Sequence, residues 1–301
     1  MTELRVVRDP RGSLEATYAP RLGMICSSLL HGGEQVLGLR DGLAAYEASA
    51  STMGIPLLHP WANRIAGPGY EAAGKAVSFD IDSPLVHTDP GGLPIHGAAP
   101  TALGFDPIRE ADGRLEARLD VGPGSPVAQL FPFPHRLTME VAITGSVMEV
   151  TTILEATGSD AVPVAFGFHP YFQLPGAPRS GRSSSQALRT HMILDERLLP
   201  TGAGVPAEPA TGPVGDRTWD DLYGDVQDGD AFSVAAAGRR LTIRMVEGYR
   251  FAQVFAPPGG DVICFEPMTA PGNALVTGIG LRVLQPGERH RAVFAIELTT
   301  A

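Results

Sequence analysis

Six residues in this sequence have types and positions suited to proton chemistry on a polar ligand. His169 lies in VAFGFHPYFQL (residues 164–174), where an apolar, aromatic run meets Pro170. Proline offers no backbone N–H, so a central strand must break there and leave the imidazole at a strand end. His96 directly precedes Gly97 in LPIHG, where the glycine permits close backbone approach beside the ring. Glu266 follows the apolar run Val262-Ile263-Cys264-Phe265 and precedes Pro267. A carboxylate delivered to the end of a core strand costs several kcal/mol or becomes protonated unless it has partners. Arg64 sits in PWANRIAGPGY just before a Gly-Pro-Gly turn, and Asp220-Asp221 lie between aromatics in TWDDLY. Each has a structural alternative: a core histidine bonded to a carbonyl, an arginine paired with a buried carboxylate, aspartates that cap a helix or turn.

Several chemistries can be tested against this set. Two histidines and a glutamate could ligate a metal, but the close HxH spacing of cupin-type sandwiches and the HExxH helix motif are both missing. There is no GxSxG elbow for a Ser-His-Asp hydrolase. A glycosidase needs two apposed carboxylates, and the strand-end pattern supplies one clear candidate. Neither Rossmann nor Walker glycines occur, which counts against a nucleotide cofactor. What remains is acid/base chemistry without a cofactor. A carboxylate of pKa ~4.3 and an imidazole of pKa ~6.5 are respectively base and acid between those values, and mutual attraction is expected to widen that window.

The elements that must hold these groups read as strands. Leu4–Val7, Leu14–Tyr18, Met24–Leu30 and Gln35–Leu37 have the spacing of an antiparallel meander. Gly74–Asp80, Arg114–Val121, His135–Thr144, Met148–Ala156, Gly238–Met245, Phe251–Ala256, Asp261–Glu266 and His290–Leu298 continue the pattern, with one short helix expected within Leu39–Ala50. Gly176–Gln186 reads as a mobile loop, and the Gly/Pro/Ala-rich stretch from Leu199 to Gly215 as a turn and a long surface loop. Glycine (36) and proline (27) are scattered rather than pooled in a linker, so the 301 residues are read as a single all-β domain, 1–301.

The net charge of -10 and the lack of any Lys/Arg run count against a nucleic-acid partner. No segment approaches the ~20 apolar residues of a membrane helix, and MTELRVVRDPRGS lacks a signal peptide's apolar centre, so a cytoplasmic protein, monomer or homodimer, is expected. Cys26 and Cys264 are then read as buried thiols rather than a disulfide.

Taken in order, LLHPWANRIAGPGY, PIHG, GFHPYFQL, TWDDLY, FAQVFAP and CFEPMTAPGNAL resemble the aldose 1-epimerase (galactose mutarotase) family, especially its bacterial branch with PWxNRI and HPYF motifs. The resemblance runs from about residue 4 to residue 298. It implies an antiparallel β-supersandwich with an open sugar cleft and no cofactor or metal. By motif it implies that Glu266 is the general base, His169 the general acid and His96 a second histidine near the ring oxygen. Arg64, Asp220 and Gln253 are implied as hydroxyl ligands, with Asp221 as the alternative to Asp220, and Asn63 as a support for Arg64 at the substrate site. The activity implied is interconversion of the α and β anomers of an aldose. Two alternatives stay open: a hexose-6-phosphate 1-epimerase, for which His59, Arg179, Arg182 and Arg189 could bind phosphate if their loops fold inward, and a non-catalytic carbohydrate-binding protein.

Overall fold

In the computed structural model, residues 2–300 are described, and they form two large antiparallel sheets packed face to face. The larger has nine strands in the order Asp106–Ala111, Arg114–Val121, His135–Thr144, Val147–Ala156, Arg289–Thr300, Arg239–Glu247, Ala231–Ala236, Ser183–Gln186 and Ala210–Pro213. The second runs Pro200–Pro206, Thr190–Leu194, Trp219–Gly224, Phe251–Ala256, Ile263–Met268, Gly167–Phe168 and Leu57–Leu58, with Tyr171–Phe172 also paired to Ile263–Met268. A four-stranded meander, Arg5–Arg8, Leu14–Ala19, Ile25–His31 and Glu34–Gln35, precedes them, as its turn spacing predicts. The fold is the all-β supersandwich expected.

The alternating pattern of each strand explains why the layers meet. Arg114–Val121 and His135–Thr144 bury every second residue, which places Leu115, Ala117, Leu119, Leu137, Met139 and Val141 in the core. Aromatic pairs join the sheets: Phe168 meets Phe294 edge to face at 5.0 Å, and Phe265 lies 5.8 Å from Phe232. Because Phe265 faces the core, its neighbours Cys264, Glu266 and Met268 must face the opposite side of the second sheet. Met268 joins Leu58, Ala62, Met192 and Leu222 in a separate apolar cluster there. A cleft lined by Glu266 forms on this side.

Both cysteines are buried free thiols, and burial raises both pKa values, that of Cys26 to about 12. The short helix spans Leu43–Ser49. Two expectations need correction. Ser183–Gln186, read as part of a mobile loop, is a strand hydrogen-bonded on both sides, to Ala231–Ala236 and to Ala210–Pro213. Pro200–Pro206 and Ala210–Pro213, read as turn and loop, are the edge strands of the two sheets. Edge strands bury little and tolerate proline, so they carry neither the alternation nor the β-branched content that marks a strand in sequence.

Candidate active site

The residues singled out in the sequence converge on one cleft of ≈ 700 Å³, lined among others by Asn63, Arg64, His96, His169, Asp220, Gln253 and Glu266. Strand register brings much of this together. Gln253 lies directly across from Glu266, Leu222 across from Gln253, and Asp220 across from Phe255, so alternate residues of three neighbouring strands share the cleft face. Period-two alternation also separates the tandem aspartates. Asp220 faces the cleft, where its Oδ1 accepts a hydrogen bond from Gln253 Nε2 at 2.6 Å. Asp221, opposite the core residue Val254, instead pairs with His191 Nε2 at 3.2 Å and lies 3.9 Å from Arg217 Nη2. Neither aspartate caps a helix, since both lie within the strand Trp219–Gly224.

The His169 strand breaks after Phe168 and resumes at Tyr171, as the proline requires. The backbone N–H of His169 donates to Pro56 O at 3.2 Å, which fixes the ring above the sheet. Its Nε2 lies 3.3 Å from Glu266 Oε1, with both side chains buried. His96 packs edge to face on His169 at 5.5 Å. His96 itself has φ +63°, a left-handed conformation that a residue with a Cβ adopts at a cost, and its N–H donates to Asn63 O, where φ is +58°. Next to it, Gly97 is indispensable: a Cβ there would lie 2.3 Å from the carbonyl oxygen of His59.

Arg64 has the carboxylate partner of its structural reading and also lines the cleft. Its Nε donates to Asp89 Oδ2 at 2.6 Å and its Nη1 to Asn63 Oδ1 at 3.1 Å, while the side chain still lines the cleft. Asn63 Oδ1 also accepts from the Arg64 backbone N–H at 2.9 Å, the supporting role expected for it. Asp89 was not visible in the sequence as a site residue. In DPGG it signals only a turn, and its Oδ1 does accept from the N–H groups of Gly91 and Leu93. Asn273 was also missed; in a left-handed conformation it donates its N–H to Arg64 O and accepts at Oδ1 from Ala66 N–H, which pins the Asn-Arg-Ile turn to the PGN segment. Tyr171, Thr52, His87 and Arg40 are among the other cleft residues that sequence reasoning passed over.

The electrostatics correct one expectation. Burial is the largest influence on both members of the pair, and it opposes charge on each. Glu266 is pushed well above the usual carboxylate range by burial, aided by Asp220 and only partly offset by Arg64. His169 is pushed down to about 3, again by burial first, with Arg40 adding to the effect. Their mutual attraction therefore does not widen the window in which Glu266 is anionic and His169 cationic. Burial favours the neutral carboxyl of Glu266 and the neutral imidazole of His169 over an ion pair. His96 is kept neutral by burial and by nearby His169, Arg64 and His87. Asp220 is raised by burial against the opposing effect of Arg64. Gln253 Oε1 and the Nδ1 atoms of His96 and His169 are buried without a protein partner, so the cleft retains unmet polar groups. Among the described residues, no group of three or more His, Cys, Asp or Glu side chains is arranged to hold a metal ion.

The four side chains considered for phosphate binding are engaged elsewhere. His59 is buried with its Nε2 2.9 Å from His135 Nε2. Arg179 donates to the carbonyls of Gly215, Pro257 and Gly260, and Arg182 to those of Ala177 and Asp261. Arg189 forms a two-point pair with Asp230. No helix among the described residues is long and apolar enough to cross a membrane.

Comparison with known proteins identifies the family and the fold. The family model for aldose 1-epimerase matches residues 21–297. No curated protein sequence matches the chain. A galactose mutarotase-like protein from Clostridium acetobutylicum superimposes with a TM-score of 0.81 at 18% identity, covering 100% of this chain and 99% of the other. An aldose epimerase homologue from C. elegans gives 0.80 at 14%, covering 100% of both chains. Galactose 1-epimerase from Lactobacillus acidophilus gives 0.76 at 14%, again covering 100% of both. At such identities the likeness establishes a shared fold, while the family model spans nearly the whole sequence, and the chain belongs to the aldose 1-epimerase family.

Proposed function

We propose that the protein is an aldose 1-epimerase, a mutarotase that interconverts the α and β anomers of a sugar by acid/base opening of its hemiacetal ring. The observation that carries this reading is the buried Glu266–His169 pair, 3.3 Å apart in a cleft lined by Arg64, Asp220 and Gln253. Glu266 removes the proton from the C1 hydroxyl, the C1–O5 bond breaks, and His169 delivers a proton to O5. The product is the open-chain aldehyde. Rotation about C1–C2 presents the other face of the carbonyl, and closure returns one proton from Glu266 to O1 and one from O5 to His169. Atoms and protons balance over the cycle.

These roles require an anionic Glu266 and a cationic His169, whereas burial favours the neutral form of each. The two arrangements differ by one proton transfer and carry the same net charge. A sugar hydroxyl donating to Glu266 and a ring oxygen accepting from His169 would both favour the charged arrangement. Arg64, Asp220 and Gln253 are placed to orient the sugar, with Gln253 Oε1 and the remaining Arg64 N–H groups as the free contacts.

A neutral aldose fits the cleft better than a hexose 6-phosphate, because the four other cationic or imidazole groups that could bind phosphate are spent on protein partners. Arg40 is the exception at the cleft wall: Nη1 donates to Thr52 O, and no carboxylate pairs with it among the described residues. Polarimetry on freshly dissolved α-glucose, α-galactose and α-glucose 6-phosphate tests the reading. Faster mutarotation of a neutral sugar supports it, acceleration confined to the 6-phosphate transfers the assignment to the phosphorylated substrate, and binding without acceleration makes the protein a carbohydrate-binding module.

A further inference from the structure

Tyr171 is buried beside the reacting pair, and the mechanism above gives it no task. Its ring stacks on the imidazole of His169 with centroids 4.3 Å apart and planes within 5°. The phenol oxygen lies 3.3 Å from His169 Nε2. In a parallel stack that oxygen approaches the face of the imidazole, not the in-plane lone pair, so the contact leaves Nε2 free to point toward Glu266 and the cleft. The hydroxyl is held from the other side by Thr52, with Oη and Oγ1 2.5 Å apart. Apart from the Glu266 contact at Nε2, no other residue among those described holds the imidazole's rotation by a hydrogen bond, since Nδ1 is buried without a partner beyond its own residue.

We infer that Tyr171, anchored by Thr52, is a positioning residue for His169: its stacked ring sets the plane in which Nε2 meets the sugar's ring oxygen and stabilises the imidazolium form through its π face. The inference rests on the mutarotase reading of His169 as the acid. An aromatic face attracts a cation stacked against it, and it does so most strongly where water is excluded. That attraction acts against burial, which favours the neutral imidazole. The other groups facing His169 are Glu266, which favours the imidazolium, His96, which is neutral, Phe255, which is uncharged, and Arg40, whose charge disfavours it. Tyr171 therefore supplies the stacked aromatic contact to the cation, beside the carboxylate of Glu266 and the T-shaped ring of Phe255.

The test compares Tyr171→Leu, Tyr171→Phe, Thr52→Val and the Tyr171→Phe/Thr52→Val double variant by polarimetric kcat, KM and pH profile. Tyr171→Leu removes the stack; kcat is expected to fall about 10–30-fold with KM within about threefold, and the whole pH profile to move to lower pH because the imidazolium is less favoured. Tyr171→Phe keeps the stack and loses only the anchor, so its profile is expected to stay in place while kcat falls about 3–10-fold. Thr52→Val removes the same bond from the other end, so it and the double variant should match Tyr171→Phe. A Tyr171→Leu protein with lower amplitude and an unmoved profile, or with wild-type kcat, overturns the inference. Should Tyr171→Leu not fold, the cycle decides: additive losses in Tyr171→Phe and Thr52→Val, or no loss in either, overturn it. His169→Asn separates the two levels of the argument. If it is inactive while Tyr171→Leu behaves as wild type, only this inference fails; if it is fully active, the mutarotase mechanism fails with it.

Discussion

His169 Nε2 and Glu266 Oε1 stand 3.3 Å apart with both groups shielded from water. Two such groups titrate as a unit, so the pH dependence of kcat/KM should be bell-shaped, falling in acid where the pair gains a second proton and in alkali where it loses its only one. His169→Asn and Glu266→Gln should each lower kcat strongly. The double variant should be far from multiplicative, because both transfers belong to one ring-opening event. Losses that multiply would show that the two residues act in separate steps.

Arg64 should prove both structural and functional. Its side chain is 13% exposed and that of Asp89 9%, so Arg64→Ala leaves a largely buried carboxylate without its partner. A lower Tm is expected together with a loss in kcat/KM worth about 1.5–3 kcal/mol for one charged hydrogen bond to substrate. Asp89→Asn, which keeps the shape of the contact, should lower kcat/KM with a smaller change in Tm. Unchanged kinetics in both variants would leave Arg64 with a structural role only.

The tandem aspartates should separate cleanly. Asp220→Asn alters the cleft and the Gln253 contact and should raise KM or lower kcat, whereas Asp221→Asn, on the His191 side of the strand, should leave steady-state constants close to wild type. The opposite ranking in a simple polarimetric comparison would reverse the strand-face assignment.

Acid should destabilise the fold well above the carboxylate range. Burial lowers the pKa of His59 and His96 well below 6.5, of His135 and His290 to about 4, and of His169 to about 3. Above pH 6.5 neither folded nor unfolded chain protonates these rings. Below it the unfolded chain binds protons that the folded one refuses, so stability falls with pH until the folded values are reached. His135 alone is worth roughly 3 kcal/mol over that span at about 1.4 kcal/mol per pKa unit. Urea midpoints should drop between pH 7 and pH 5; equal midpoints would mean that the rings are not held neutral.

Glu266 has the opposite sign. Its folded pKa is raised, so its contribution is full below the ordinary carboxylate value of 4.5 and is lost as pH rises through the folded value. Glu266→Gln should therefore be at least as stable as wild type at pH 7.5, even though it is catalytically impaired. A large fall in Tm would show that the carboxylate is held by contacts stronger than its burial cost.

Much of the candidate site was legible from residue type and motif, although Glu266 and His96 lie within the strands Ile263–Met268 and Pro94–Ala98 rather than at strand ends, Glu266 because Pro267 sits inside its strand. His169 before a proline, Glu266 after an apolar run and Arg64 before a glycine turn announce themselves without a structure. Asp89, Asn273 and Tyr171 do not, because their roles arise from contacts with Arg64 and His169 made through folding, while locally they read as turn and core residues. The edge strands Pro200–Pro206 and Ala210–Pro213 escaped for a related reason: backbone pairing defines them, and their exposed side chains carry no pattern. The direction in which the Glu266–His169 proton is biased was misread, since charge attraction is visible from residue types whereas burial is not.

The most direct measurement of the central claim is the mutarotation rate of Glu266→Gln on a fresh α-aldose, with sugar binding measured in parallel. The substitution keeps the shape of the side chain and removes its basicity. A positioned general base contributes typically ~10²–10⁴-fold, so kcat should fall by about that factor while binding is largely retained. Near-normal mutarotation by Glu266→Gln would contradict the account and move the search for the base to Asp220.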